Sequence, residues 1–172
     1  KETIKIIKTD YENLKFENFE EIIDLKNQLD KFILFCRRII IKEKEEQNPV
    51  IAWELLTFLM HIEHAIFYLY KYLNGKKLKR NKKIEELFKT TENLFEKYYE
   101  AYYKKDISII HQINSQKDKL IFGSLYEELE NSSKENTVIL SSLKEILRLI
   151  QVGTSPFFSI FLEDLVKQDT VI

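Results

Sequence analysis

The chain has 172 residues, of which 44% are hydrophobic and 32% are charged, and its formal net charge is -1. This length allows one domain with its own core, and the composition is typical of a globular chain and excludes a disordered one. A net charge near zero gives no overall field that would attract nucleic acid or an anionic membrane, so either partner would need a local patch. With three glycines and two prolines, turn-forming residues are scarce, which predicts long helices joined by short loops.

The first 17 residues are predicted to be a tail or a short strand. Ile4 and Ile6 alternate weakly with polar residues between Glu2 and Lys8, and alternation is the pattern of a strand. The chain opens with Lys rather than Met and shows no secretory signal. We therefore expect a cytoplasmic protein in which sequence upstream of residue 1 can be missing.

A helical pattern begins at Asn18 and ends in a run of charges at residues 42–46. The lone cysteine, Cys36, cannot form an internal disulfide and lies among apolar neighbours, which predicts a buried, inert thiol rather than a nucleophile. The apolar positions at helical spacing, which predict the core face of this helix, are Phe19, Ile22, Ile23, Leu29, Phe32, Ile33, Cys36 and Ile40.

The stretch from Ala52 to Leu73 is a long apolar segment with few charged residues and is predicted to be the central core helix. Its apolar residues cover well over one face, so most of the helix is expected to be enclosed. Asn48 is a predicted cap with Pro49 in the first turn, and Gly75 is predicted to end the helix.

Three further helices are predicted after this segment. One covers residues 82–105 and carries a buried stripe that includes Tyr98 and Tyr102, and its other face alternates Glu and Lys. Asp106 is a predicted cap for the next helix, which extends to about residue 129. The last runs from about residue 136 to 167 and is expected to kink between Gly153 and Pro156, because proline lacks a backbone donor and clashes with the preceding turn.

The chain matches itself without gaps at an offset of 88 residues. At this offset the small residues Ala65 and Gly153 coincide. Together the matched positions predict a duplicated helical unit, with repeat 1 at residues 18–75 and repeat 2 at residues 76–168. The first helix of repeat 1 would then be absent, cut away or replaced by the N-terminal segment. The strongest matches are Asp30-Lys31 on Asp118-Lys119, Asn48 on Asn136, Val50-Ile51 on Val138-Ile139, and Leu55, Leu59 and Ile62 on Leu143, Leu147 and Ile150.

These segments resemble the PhoU family of phosphate-uptake regulators, in its archaeal form. The segment from Gln28 to Arg38 is similar to the family's VDRFYFLLVRQL middle helix. The segment from Ile62 to Ala65 is similar to its ERIGDHA signature, and Lys104-Lys105-Asp106 with Ile109-Ile110 resembles its GDxxLAxxVI turn. The resemblance covers roughly residues 19–166 and implies an all-α tandem repeat of three-helix units.

The resemblance also implies a regulator without enzymatic activity that acts on a phosphate transporter and its sensor kinase. Members bind metal clusters through ExxxD motifs, and archaeal fusions carry an AbrB-like DNA-binding domain, which is not seen in this sequence. Leu59 stands where the signature has Glu, and Leu147 and Gln151 stand where repeat 2 should have both acids. Because leucine and glutamine do not replace carboxylate ligands, we expect the metal clusters to be lost.

The best chemical cluster in the sequence is His61, Glu63 and His64. The two histidines lie three residues apart and could share a divalent transition metal with a carboxylate from another helix. The ordinary alternative is a pair of histidines at the solvated edge of a core helix or hydrogen-bonded inside the bundle. No other cofactor is expected, and no spacing typical of nucleophilic catalysis is present.

Two further groups of residues are candidates for binding. Tyr99 and Tyr103 fall beside the buried stripe of their helix and suit a protein interface, or they are surplus core edge. A basic connector could meet phosphate, RNA or acidic lipid, or it is simply a solvated loop; it contains Lys76, Lys77, Lys79, Arg80, Lys82 and Lys83.

The sequence therefore predicts a single all-α domain, an antiparallel PhoU-like bundle with an incomplete first unit. We expect a regulatory interaction protein in phosphate transport or phosphate-responsive regulation, bound to a transporter subunit, a sensor kinase or a second copy as a homodimer. Such binding would bring it to the inner face of the membrane. Nucleic acid is not an expected partner unless a DNA-binding domain precedes residue 1. The alternatives are an oligomerisation or adaptor module without a phosphate role, and a metal sensor or enzyme centred on His61 and His64.

Overall fold

The fold is all-α, as predicted. The computed structural model describes residues 1–42 and 48–161, and within these ranges every regular element is a helix. The elements are α1 (Glu2–Asn13), α2 (Phe19–Lys42), α3 (Pro49–Leu73), α4 (Lys82–Lys104), α5 (Ile107–Lys119), a π-helical segment (Leu120–Leu125), α6 (Tyr126–Asn131) and α7 (Lys134–Val152), and residues 155–161 are helical again.

The N-terminal segment is a helix, so the prediction of a strand or tail for the first 17 residues is wrong. The buried residues of α1 recur at helical spacing and pack against α3 and α4. The alternation of Ile4 and Ile6 is therefore accidental, because only Ile4 belongs to the buried face. That face consists of Thr3, Ile4, Ile7, Asp10 and Tyr11.

Local capping chemistry sets the helix boundaries close to the predicted ones. The Asn48 side chain accepts a hydrogen bond from the Val50 amide, and Asp106 accepts one from the Ser108 amide, which confirms both predicted caps. α3 ends at Leu73, and Gly75 takes the left-handed backbone at φ 78° that favours glycine.

The core lies between α3, α4 and α7. α3 packs against α7, α4 packs against α7 and α5, and α1 lies across α3 and α4. Tyr98 is buried in this core as predicted, with its ring centroid 4.8 Å from that of Phe157. Tyr102, which the sequence also assigned to the buried stripe, is exposed at the helix end instead.

The last two predicted helices are each interrupted. The helical path from Ile107 to Asn131 contains the π-helical segment, and α7 stops at Val152 before the chain turns at Gly153 and Thr154. The predicted kink is thereby confirmed. The predicted continuation to residue 167 lies partly outside the described residues.

α2 and the N-terminal half of α3 lie on the outside of the bundle, which corrects three predictions. α2 has its main packing against α3, so most of its surface has no neighbour among the described helices. Phe32, predicted to be core, is 59% exposed, and Cys36 is half-buried rather than buried. The N-terminal half of α3 is likewise not enclosed, because Val50 is 71% exposed and Trp53 is also exposed.

Candidate interaction surface

The three predicted metal ligands have separate surroundings. Glu63 is buried and accepts a hydrogen bond of 2.7 Å from the Thr3 hydroxyl, whereas His61 is exposed. His64 Nε2 lies 2.9 Å from Oδ1 of Asp30 on α2. In residues 1–42 and 48–161, no three or more His, Cys, Asp or Glu side chains are grouped closely enough to hold a metal ion.

The His64 contact belongs to a polar link between α2 and α3. Asp30 also accepts from Lys26 Nζ, at 2.7 Å and one turn earlier on its own helix. Partial burial raises the pKa of the Asp30 carboxyl, but the hydrogen bonds from Lys26 and His64 outweigh burial and hold the pKa below its ordinary value. The folded state therefore stabilises the ionised form of the Asp30 carboxyl more than the unfolded chain does.

This link predicts how stability responds to acid. Because the pKa of Asp30 is lower in the folded state, its stabilisation is present above the unfolded pKa of about 4 and is lost as the pH falls through the folded value. We expect the difference in unfolding free energy between the unsubstituted chain and Asp30→Asn to shrink between pH 5 and pH 2. Urea titrations at each pH measure it.

Asp118, the match of Asp30 in repeat 2, provides the control. It is exposed and pairs with the neighbouring Lys117, so Asp118→Asn removes one carboxylate from the chain without disturbing the contact between α2 and α3. A difference for Asp30→Asn that stays constant from pH 5 to pH 2 would contradict the proposed link.

The predicted basic connector forms an exposed loop between α3 and α4 and the start of α4. Two of its charges face carboxylates: Arg80 pairs with Glu85, and Lys83 pairs with Glu128 across to α6. Lys76 lies over the Tyr72 ring at 5.2 Å from its centroid. The local positive field is therefore partly offset, and Lys77, Lys79 and Lys82 are exposed.

The two tyrosines predicted for an interface differ in exposure. Tyr99 is half-buried, with its ring edge against Phe95 at 5.1 Å between centroids. Burial raises its pKa, and the charge of Glu63 adds to the shift. Tyr103 is 76% exposed, so it has the accessibility that a contact with a partner requires.

An apolar stripe on the outer side of α2 is not among the sites predicted from the sequence. The stripe consists of Leu25, Phe32, Phe35 and Ile39; Phe32 and Phe35 are 59% and 58% exposed, and the other two are half-buried. Its spacing of seven, three and four residues places all four on one side of the helix. The signal was present in the sequence, because α2 carries more apolar residues than one core face requires.

Apolar exposure extends over the rest of the hairpin. With a large apolar side chain covering about 150–250 Å² when buried, the exposed fractions of these residues amount to roughly 600–800 Å² in total. This total is spread over more than one face of the hairpin, so it is not one contiguous patch. Besides the stripe, the exposed residues are Leu34, Ile41, Val50, Trp53 and Tyr68.

A shallow groove runs along the surface between the packed helices α3 and α7. Ala65 and Tyr68 line one side, and Val138, Ser141 and Glu145 are among the residues on the other. Glu145 forms a salt bridge of 2.7 Å with Arg148, so the negative charge of Glu145 at this groove is already neutralised. The groove is open to solvent, and its lining residues do not form a nucleophile–base pair.

By length and composition, α3 could cross a membrane, a criterion that a core helix of a globular protein also meets. Its polar contacts are to other helices of the bundle, through Glu63 to Thr3 and through His64 to Asp30.

Comparisons with protein-family models, with curated proteins and with solved structures give no match to this chain.

Proposed function

We propose that this chain is a regulatory protein without enzymatic activity that acts by binding other proteins, in phosphate transport or phosphate-responsive signalling. The observation that carries the proposal is the α2–α3 hairpin, which exposes large apolar side chains such as Phe32 and Phe35. An exposed row of large apolar side chains on one side of a helix is typical of sites that bind a partner.

The phosphate role is supported by the resemblance of the middle and third helices to PhoU proteins. The helix contacts support a duplicated unit in part: α2 pairs with α3, α5 lies against α7, and the two long helices α3 and α7 pack together, whereas α1 does not pack against α2 as extensively as α4 packs against α5. α1 would then be the shortened first helix of repeat 1, with α4 as its longer counterpart in repeat 2.

An adaptor without a phosphate role is the second candidate. It is favoured by Leu59, Leu147 and Gln151, which occupy the positions of the family's acidic ligands. The two candidates agree on binding through helix surfaces and differ in the partner. Measured affinity for the phosphate machinery of the same genome therefore separates them.

We expect the 172-residue chain to bind the ATP-binding subunit of that phosphate transporter, or the partner sensor kinase, in biolayer interferometry. Charge reversal in Lys79→Glu/Arg80→Glu should weaken the binding at least tenfold, because both side chains are exposed on the connector. Their exposure also means that the melting temperature should barely change.

The matched control is Lys89→Glu/Lys119→Glu, which makes the same charge change at two other exposed lysines. It should keep the affinity of the unsubstituted chain. No binding to either phosphate component would remove the phosphate role and leave the adaptor. Equal weakening by both double variants would show that overall charge, rather than the connector, governs the contact.

A further inference from the structure

The outer stripe of α2 lies on a different side of the helix from its two buried residues. Ile22 and Ile33 are the buried residues of α2, and the main packing partner of this helix is α3. At 100° per residue, Phe32 and Phe35 lie on another side of the helix cylinder. α2 is therefore a helix with two apolar faces, and the one that carries Phe32 and Phe35 is largely exposed.

The charges beside this stripe are segregated along the helix. The first turns carry acids, Glu20, Glu21 and Asp24, and the last turns carry bases, Arg38 and Lys42. Arg37 is also in this half, but it is already engaged with Trp53 at 4.5 Å and with the Thr57 hydroxyl. A helix with one acidic and one basic end is complementary to itself when two copies run in opposite directions.

We infer that the outer stripe of α2 binds a second copy of this chain, with the two α2 helices antiparallel and crossing at Phe32. In this arrangement Leu25 meets Ile39 of the second copy, and Phe32 meets its own equivalent. Asp24 comes within about one turn of the second copy's Arg38.

The resulting contact has the form of a four-helix arrangement, with α2 and α3 of each copy. A helix of 24 residues is about 36 Å long, and antiparallel pairing along it would bury on the order of 500 Å² per copy. That is at the lower end of stable interfaces, so a micromolar dissociation constant is expected.

A lipid surface is the main competing occupant, and the charge pattern disfavours it. Helices that lie on membranes carry lysine and arginine along the polar face, where they meet anionic headgroups. The first turns of α2 would instead present Glu20, Glu21 and Asp24 to such headgroups. In the dimer, the same acidic residues lie beside the basic end of the second α2, which attracts them.

This inference deepens the proposed function, since both treat the α2–α3 hairpin as an association surface. Self-association is measured on the purified chain alone, whereas the regulatory role is measured against transporter or kinase. Failure of one therefore leaves the other standing.

The first test is sedimentation of the 172-residue chain between about 1 and 200 μM. We expect a monomer–dimer equilibrium, and Phe32→Asp should raise the dissociation constant at least tenfold because it places a charge at the centre of the contact. Leu34→Asp is the matched control: Leu34 is 56% exposed on the same helix but lies about 160° from Phe32, so its variant should dimerise normally. Circular dichroism confirms that both variants are folded.

The second test reports the direction of the helices. In a Cys36→Ala background, Leu25→Cys protein mixed with Ile39→Cys protein should form the mixed disulfide, because antiparallel pairing brings these positions together. Parallel pairing would instead give the two homodisulfides and would overturn the arrangement.

Three outcomes would overturn the inference itself: a chain that stays monomeric throughout, a Phe32→Asp variant that dimerises normally, or a Leu34→Asp variant that loses the dimer as Phe32→Asp does. Flotation with phosphatidylcholine–phosphatidylglycerol vesicles identifies the competing occupant. A monomeric chain that floats and loses flotation in Phe32→Asp would assign the stripe to lipid.

Discussion

Replacing Tyr70 with phenylalanine is expected to lower the free energy of unfolding by about 1–3 kcal/mol, the usual cost of leaving buried polar groups without partners. The Tyr70 hydroxyl donates to Oδ2 of Asp10, and it accepts a hydrogen bond of 3.0 Å from the Asn18 amide. Asp10 also accepts from the Asn18 side chain at 2.8 Å. The three residues tie α1, the start of α2 and the end of α3 together.

The loss should be near the upper end of that range because one partner is a buried carboxylate. Asp10 and Tyr70 are both buried, so water cannot readily replace the lost donor. Burial and the hydrogen bond to Asp10 raise the pKa of Tyr70 above that of a free tyrosine. The hydroxyl consequently remains a proton donor throughout the neutral pH range.

Tyr98→Phe is the matched control, since it removes the same atom from a residue buried to the same degree. The Tyr98 hydroxyl has no hydrogen-bond partner in the part of the chain that the structure describes, so its removal should leave stability unchanged or slightly increased. Urea unfolding followed by the fluorescence of the single tryptophan, Trp53, compares the two variants. Equal losses would mean that hydroxyl removal itself, not the Asp10 contact, sets the cost.

The same contacts explain why α1 was missed from the sequence. Helix boundaries at Asn48 and Asp106 depend on residues one or two positions away, so local chemistry was enough to predict them. The buried face of α1 includes Thr3 and Asp10, whose burial depends on Glu63 and Tyr70, both 60 residues later in the chain. Because Thr3 and Asp10 are polar, the buried face of α1 does not show in the sequence as an apolar stripe. It is recognised only when the partners Glu63 and Tyr70 are known.

The candidate surface shows the opposite failure, in which apolar residues were assigned to the core too readily. Periodicity indicates that α2 has apolar sides, but it does not say which one meets α3, so Phe32 was grouped with Ile33. The apolar length of α3 likewise gave no information on how many helices would surround Val50. His64 is chemically notable in the sequence, yet its partner Asp30 lies 34 residues away on another helix, and periodicity within one helix does not connect the two.

The match of small residues in the repeat leads to the second large prediction. Gly153 is buried at the end of α7, where a Cβ atom would lie 2.9 Å from the Leu149 carbonyl oxygen. The same atom would lie 3.2 Å from Tyr98 of α4 and 3.3 Å from Phe58 of α3. Three helices therefore approach at this glycine, and backbone and core rings both limit how far they can shift.

Gly153→Ala is expected to lower the free energy of unfolding by about 1–3 kcal/mol, the cost of forcing an extra carbon into a packed core. The backbone of Gly153 has a helical φ of -62°, so strain in φ does not contribute, and the net loss is the packing cost less the gain that alanine brings through the unfolded state. Gly123→Ala is the control, because no atom lies within 4 Å of its added Cβ. There alanine should stabilise the chain by about 0.4–1 kcal/mol through the unfolded state. The two substitutions should thus have opposite signs in the same urea assay, and a stabilising Gly153→Ala would mean that α3, α4 and α7 do not meet as closely as the structure places them.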